Sequence, residues 1–374
     1  MNIKLKEFKE VASKILLAVD GKDASNLRLR AKVGFLTLSV ANQEYFVCVK
    51  MPLDTEEDLA ATVDAQLFLK LITGLDTETF TLEVSNNVLL VKAGKGNYKL
   101  AMIYNKDQLL DLPPIIIQNK TVTMPISKDI LESILNVNGK EMSKLKYLTN
   151  PKEAQKHYYI DECGCFTYTT GACVNAFTLD KPVKVLLTDR IVKLFKLFKE
   201  DVSFSFGNDT TPSGLPETKA VFETENVYLA ARVNNDASTL NQSVSSYNAS
   251  KRYIAENFPY QVVISSDALA AAINRLTLFT KQSAENNAAY LPVNVSLVDG
   301  EVVLSDGVGN SESITIESGA VEEPYEMRAN LVDFKQMVDS YKNDHLTLQC
   351  GNKHVIIFSK GSVHHLLIEI QKGR

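Results

Sequence analysis

The strongest constraint on this chain is an internal repeat. A helix followed by short strands occurs at 64–103, as DAQLFLKLITGLD, TFTLEVS, NVLLVKA and YKLAMI. It returns at 188–233, as TDRIVKLFKLFKE, VSFSFG, KAVFETE and VYLAARV, and at 330–370, as NLVDFKQMVDSYK, HLTLQC, HVIIFS and VHHLLIEI. Asn86-Asn87, Gly94-Lys95-Gly96, Gly351-Asn352 and Lys360-Gly361 read as the turns between strands. A period of about 125 residues is too long for a solenoid repeat and points to duplicated small domains.

Each third also opens alike, with a strand (NIKL, TVTMPI or YQVVIS) and then a helix. Apolar residues fall three and four apart at Phe8, Val11, Ile15 and Val19, and again at Leu269, Ile273 and Leu276, which marks helices with one buried face. Ser127 and Ser266 read as N-caps, supplying acceptors to helix N–H groups that lack them. Further strands follow, including NLRLRAKVGFLTLSVANQEYFVCVKMP and VNVSLVDGEVVLSD, the latter with an Asp299-Gly300 hairpin turn. The expected fold class is α+β: three tandem domains at 1–118, 119–250 and 251–374, each a pseudo-twofold pair of helix-plus-antiparallel-sheet units. Leu112-Pro113-Pro114 closes the first third. NNDASTLNQSVSSYNAS (234–250), polar and rich in Ser and Asn, reads as a linker ending the second. NDTTPSGLPET (208–218) reads as a long hairpin loop.

With 374 residues the chain exceeds what one core usually holds. Its 45% hydrophobic and 23% charged residues suit a soluble globular protein. No apolar run approaches the roughly 18 residues of a membrane span. The start, MNIKLKEFKEVASK, lacks the apolar core of a signal peptide, so a cytoplasmic protein without membrane partners is expected. Five cysteines without a regular framework argue against a disulfide scaffold. The net charge of −5 neither supports nor excludes nucleic acid, because distribution matters more than the sum.

That distribution favours the helices. The six expected helices, 6–20, 64–76, 127–140, 188–200, 266–282 and 330–342, hold 14 Lys and Arg against 12 Asp and Glu; the rest holds 26 against 33. In 188–200, Ile191, Leu194, Phe195 and Phe198 form the apolar stripe and Arg190, Lys193, Lys196 and Lys199 the other face. Lys70 points away from Phe68, Leu71, Ile72 and Leu75, and Arg275 and Lys281 are the cations of 266–282. These are candidate phosphate contacts, set against the ordinary reading of a solvated helix face.

Catalytic chemistry is not evident. Gly94-Lys95-Gly96 lacks the following Ser/Thr of a phosphate loop and joins two strands. Cys163, Cys165 and Cys173 near His157 have the wrong spacing for a zinc knuckle. Period-2 alternation puts Cys163 and Cys165 on one strand face as thiols. His364 and His365, adjacent on a strand, point to opposite faces, and Glu322-Glu323 sit beside Pro324 with no partner base. The expectation is a non-enzyme with no cofactor and no metal.

LFLKLITGLDTETFTLEVSNNVLLVKAGKGNYKLAMI followed by DLPPI resembles the end of the first domain of the bacterial DNA polymerase III β subunit, the sliding clamp. Length and threefold organisation extend the resemblance to the whole chain. It implies three tandem clamp domains forming part of a closed ring, usually a homodimer, with helices lining a channel for double-stranded DNA. It implies sequence-independent binding through phosphates and tethering of a replicative polymerase, with a clamp loader as a further partner. Family loops that reach the duplex correspond to Lys22 and to Lys152 with Gln155; Lys144 and Lys146, after the middle third's first helix, could join them. The family's partner-peptide pocket corresponds to Tyr158-Tyr159-Ile160-Asp161 and to Thr169-Thr170-Gly171-Ala172-Cys173-Val174, which implies Ile160, Gly171, Ala172 and Val174 as lining residues. Leu366, Ile368 and Ile370 alternate near the C-terminus and could complete it. The family's His-Arg pair and C-terminal proline are missing, which implies a divergent clamp, virus- or plasmid-encoded, with its own partner motif. The other reading is a structural or adhesive protein of repeated α+β modules that does not enclose DNA.

Overall fold

The computed structural model describes the chain except residues 22, 212, 284–289, 342 and 371–374, and the side chains of 281–283. The described residues form two compact units: Met1–Leu131 with Lys193–Asn234, and Glu132–Val192 with Asn235–Arg374. Each therefore holds one outer third and part of the middle third.

In the first unit, helix Leu5–Ala18 buries Leu5, Phe8, Val11, Ala12, Ile15 and Ala18 along one face. Phe8 meets Phe68 and Phe80 edge-on, with ring centroids 5.9 and 5.2 Å apart, which joins this helix to helix Ala65–Gly74 and strand Thr79–Ser85. Asp64 caps the second helix by accepting the Leu67 N–H at 2.7 Å. Strands Asn2–Lys4, Thr79–Ser85, Val88–Ala93 and Gly96–Ala101 make a four-stranded sheet in that order. Asn86 and Asn87 carry the positive φ values, 50° and 61°, that its first hairpin requires. An eight-stranded sheet runs Lys120–Ile126, Val202–Thr210, Pro216–Glu223, Val227–Val233, Tyr45–Pro52, Phe35–Ala41, Asn26–Lys32, Leu59–Asp64. Its seam places Leu229 opposite Val47, continuing the sheet from the middle third into the first.

The second unit is built on a twelve-stranded antiparallel sheet. Its strands from the middle third end at Ala172–Ala176, which pairs with Val363–Ile368, the last strand of the chain. Helices Ser266–Ser283 and Leu331–Val338 pack on the last third's strands over a core that includes Leu269, Ile273, Leu276 and Phe334.

Several sequence readings need correction. Residues 234–250 are not a linker: helix Ala237–Ile254 occupies them, capped by Asp236, which accepts the Ser238 and Thr239 N–H groups at 3.0 Å. The strands flanking 208–218 extend to Thr210 and resume at Pro216, so the loop is short. The 188–200 helix is one α-turn, Asp189–Lys193, continued by a 3₁₀ turn, Leu194–Leu197. The cap of helix Ser266–Ser283 is Ser265, whose hydroxyl accepts the Ala268 N–H at 3.3 Å, while the Ser266 hydroxyl accepts from Asp344 N–H. The turn expected at Gly351-Asn352 is made by Lys353 and His354, both at positive φ, and Gly351 lies at a register shift inside strand His345–Asn352. Cys163 is exposed in a turn, outside the strand that holds buried Cys165.

Candidate functional site

Three elements of the second unit meet around an open cleft of about 210 Å³. The hairpin of strands Gly164–Tyr168 and Ala172–Ala176 supplies Phe166, Tyr168, Thr169, Thr170, Gly171 and Ala172. The closing hairpin supplies Val355, Leu366, Leu367 and Ile368, and helix Ala237–Ile254 supplies Ser246, Ser250 and Tyr253. The floor is the core beneath: Phe166 and Leu366 are buried with Tyr159, Val174, Leu186, Tyr247 and Ile357. No charged side chain lines the cleft among the described residues. An apolar floor with hydroxyls on the walls suits an uncharged side chain presented by a partner. Gly171 is required by close approach, since a Cβ there would stand 2.6 Å from the Leu366 carbonyl oxygen.

Of the seven residues expected at this site, Gly171, Ala172, Leu366 and Ile368 line the cleft. Ile368 is 68% exposed and available to a ligand. Ile160 and Val174 do not line it; both are buried in the sheet. Ile370 is drawn away, its N–H donating to the Arg328 carbonyl at 2.7 Å. The strand ends at Ile368, so the alternation of 366, 368 and 370 does not continue.

The cationic candidates divide. Lys70, Lys146, Lys152, Lys193 and Lys196 are exposed and Arg190 is half-buried. Gln155 is engaged locally: its side-chain oxygen accepts the Lys152 N–H at 2.8 Å and its amide donates to the Thr169 carbonyl at 3.1 Å. Arg275 holds Glu312 bidentately, at 2.7 and 2.6 Å. Lys144 is not a surface residue at all: it is 1% exposed, between the carboxylates of Glu141 and Asp333 at 2.5 and 3.4 Å. Lys22 and the Lys281 side chain lie outside the described residues.

No protein-family model matches the chain, and no curated protein sequence does. Solved structures do, along its whole length. The DNA polymerase sliding clamp of Bacillus subtilis superposes with a TM-score of 0.79 at 13% identity, over 100% of this chain and 99% of that one. The DNA polymerase III subunit beta of Pseudomonas aeruginosa gives 0.79 at 12% identity, over all of both chains. The Helicobacter pylori beta clamp bound to a DNA ligase peptide gives 0.76 at 15%, over 99% of each. The fold is the bacterial sliding-clamp fold. Within it, sequence reasoning missed the helical wall of the cleft. A signal was present, because Leu240, Val244, Tyr247 and Ile254 recur at helical spacing and pack on the core under the cleft. No helix among the described residues is long and apolar enough to cross a membrane.

Proposed function

We propose that the chain is a DNA sliding clamp, which encircles duplex DNA as a homodimeric ring and tethers a replicative polymerase through the cleft beside Ile368. The observation that carries this reading is the full-length likeness to sliding clamps. The clamp of Helicobacter pylori takes a DNA ligase peptide, and an uncharged cleft with one wall from the C-terminal strand suits such a ligand here. In this reading the helices turn exposed Lys70, Lys146, Lys152 and Lys196, with Arg190 and Lys193, toward phosphates. Contacts of that kind hold the duplex without reading bases. The chain divides into three domains, the first ending near residue 118 and the second after the helix that ends at Ile254. Work on DNA goes with a cytoplasmic location, and with a clamp loader as a further partner.

Ring closure is supported by a pattern in the strand pairing. The last strand of the middle third, Val227–Val233, pairs with Tyr45–Pro52, and the last strand of the final third, Val363–Ile368, pairs with Ala172–Ala176. The same rule leaves two edges over. Among the described residues, Gly96–Ala101 pairs only with Val88–Ala93, and Ser311–Thr315 pairs on one side only, with Glu301–Ser305. Each is the edge the other would need in a second copy, which would satisfy both rows of backbone groups. Helix Ser266–Ser283 packs on Ser311–Ser318 and exposes Leu278 (66%) and Phe279 (48%), an apolar pair that such a contact would cover. Light scattering tests this: the expected mass is twice the 41.5 kDa of the chain, and Leu278→Asp with Phe279→Asp halves it without loss of folding. A wild-type monomer at micromolar concentration would contradict it.

A further inference from the structure

The sequence offers Lys144 as a surface cation, yet its ammonium lies deep in the second unit beside the cleft. Glu141, itself buried, stands 2.5 Å from it, and Asp333, from the last third, 3.4 Å. Both carboxylates also hold the turn that forms one lip of the cleft. Glu141 Oε1 accepts the Thr169 N–H at 3.1 Å, the Thr169 hydroxyl at 2.5 Å and the Gly171 N–H at 3.3 Å. Asp333 Oδ1 accepts the Thr170 hydroxyl at 2.6 Å. The neighbouring Ser143 hydroxyl donates to Gln336 at 2.7 Å, a second tie to helix Leu331–Val338.

We infer that Lys144 is a positioning residue for the cleft: by neutralising Glu141 and Asp333 it holds the Thr169–Gly171 turn in place and ties the cleft lip to helix Leu331–Val338. Two carboxylates converging on one turn repel each other unless a cation lies between them, and a buried charge left without its partner is strongly unfavourable. Burial alone would lower the Lys144 pKa, but the two carboxylates outweigh it and raise the value, so the side chain stays charged. The consequence for function, that the lip is shaped before any partner arrives, rests on reading the cleft as the partner site. The positioning itself does not.

The test is amide hydrogen exchange on the whole chain, with the Gly171 N–H as reporter because it donates to Glu141 Oε1. Lys144→Met should speed exchange at Gly171 and Thr169 by about tenfold or more while leaving Leu82 and Leu89 in the first unit unchanged. Adding Glu141→Gln and Asp333→Asn removes the unbalanced charges and keeps the acceptors, and should restore most of the protection. Unchanged exchange in Lys144→Met, or a triple variant as exposed as the single one, would overturn the inference. Should Lys144→Met not fold, Thr170→Val removes one tie at a half-buried position and should loosen the same amides; if they stay protected, the inference fails. Protection lost with peptide binding unaltered would leave the positioning standing and count against the cleft reading instead.

Discussion

Replacing Tyr247 by alanine should unseat the helical wall of the cleft. Tyr247 is 2% exposed, and its ring lies 5.6 Å from Tyr159 and 5.4 Å from Phe166, which lines the cleft. The Lys251 ammonium covers its outer face at 4.1 Å. Truncating a buried aromatic ring costs about 3–5 kcal/mol. Two ring partners place this residue in the upper half of that range, since each aromatic pair adds about 0.5–1.5 kcal/mol. For a unit of roughly two hundred residues, 1 kcal/mol moves the midpoint by about 2–4 °C, so the second unit should melt about 8–20 °C lower. Tyr247→Phe keeps the ring and should stay within about 2 °C of wild type. Scanning calorimetry can follow this, with exchange at Ser246 and Ser250 as a local reading of the wall. A shift in Tyr247→Ala below about 2 °C would refute the claim that this ring seats the helix.

Three further outcomes follow from the same structure. Burial, then the neighbouring charge of Lys144 and His364, holds His365 neutral, with its pKa pushed down to about 3. The unfolded chain binds that proton below about pH 6.5 and the folded one does not, so the second unit should lose stability as pH falls from 6.5 toward 3. His365→Gln should flatten that slope in pH-dependent unfolding. Asp209 is lowered despite its desolvation, through hydrogen bonds from the Gln118 and Asn119 amides and from Lys219. Its stabilising contribution is present above about pH 4 and lost as pH falls through the lower folded value, and Asp209→Asn should remove that acid sensitivity from the first unit. Reversing Lys70 and Lys196 to glutamate together should weaken retention on duplex DNA for all sequences alike. It should reduce the salt dependence by about one ion per lysine, and an unchanged slope would remove both from the DNA-facing set.

The repeat and most of its helices were legible because their buried faces are apolar at helical period. Strands Thr79–Ser85 and Val227–Val233 coincide with their sequence readings, bounded by turn residues. Helix Ala237–Ile254 was missed because its apolar signal is diluted: its buried positions also include Thr239, Ser243 and Ser250, and small polar residues packed on a sheet look like a linker. Lys144 was misread because the sequence reading ends its helix at residue 140 and leaves the lysine beyond it. The run begun by Lys128–Ser133 passes through a π-turn at Ile134–Asn138 before Gly139–Met142. Beyond Gly139–Met142 the helical turns continue through Ser143–Tyr147, which carries Lys144 into the core rather than onto a surface loop. Four of the cleft residues were legible, since Ala172, Leu366 and Ile368 lie on paired strands and Gly171 in the turn that leads into one of them. Ile370 was not, because nothing in its alternation marks where the strand ends.

The central claim is enclosure of DNA, and topology tests it most directly. The protein should be loaded by a clamp loader onto a nicked circular plasmid, separated from free protein by gel filtration at about 150 mM salt, where contacts between exposed charges are weakened, and the plasmid then cut once. A closed ring predicts co-elution with the circle and loss within minutes of linearisation. Equal retention on circle and line, or no retention on the circle at any loading, would contradict it.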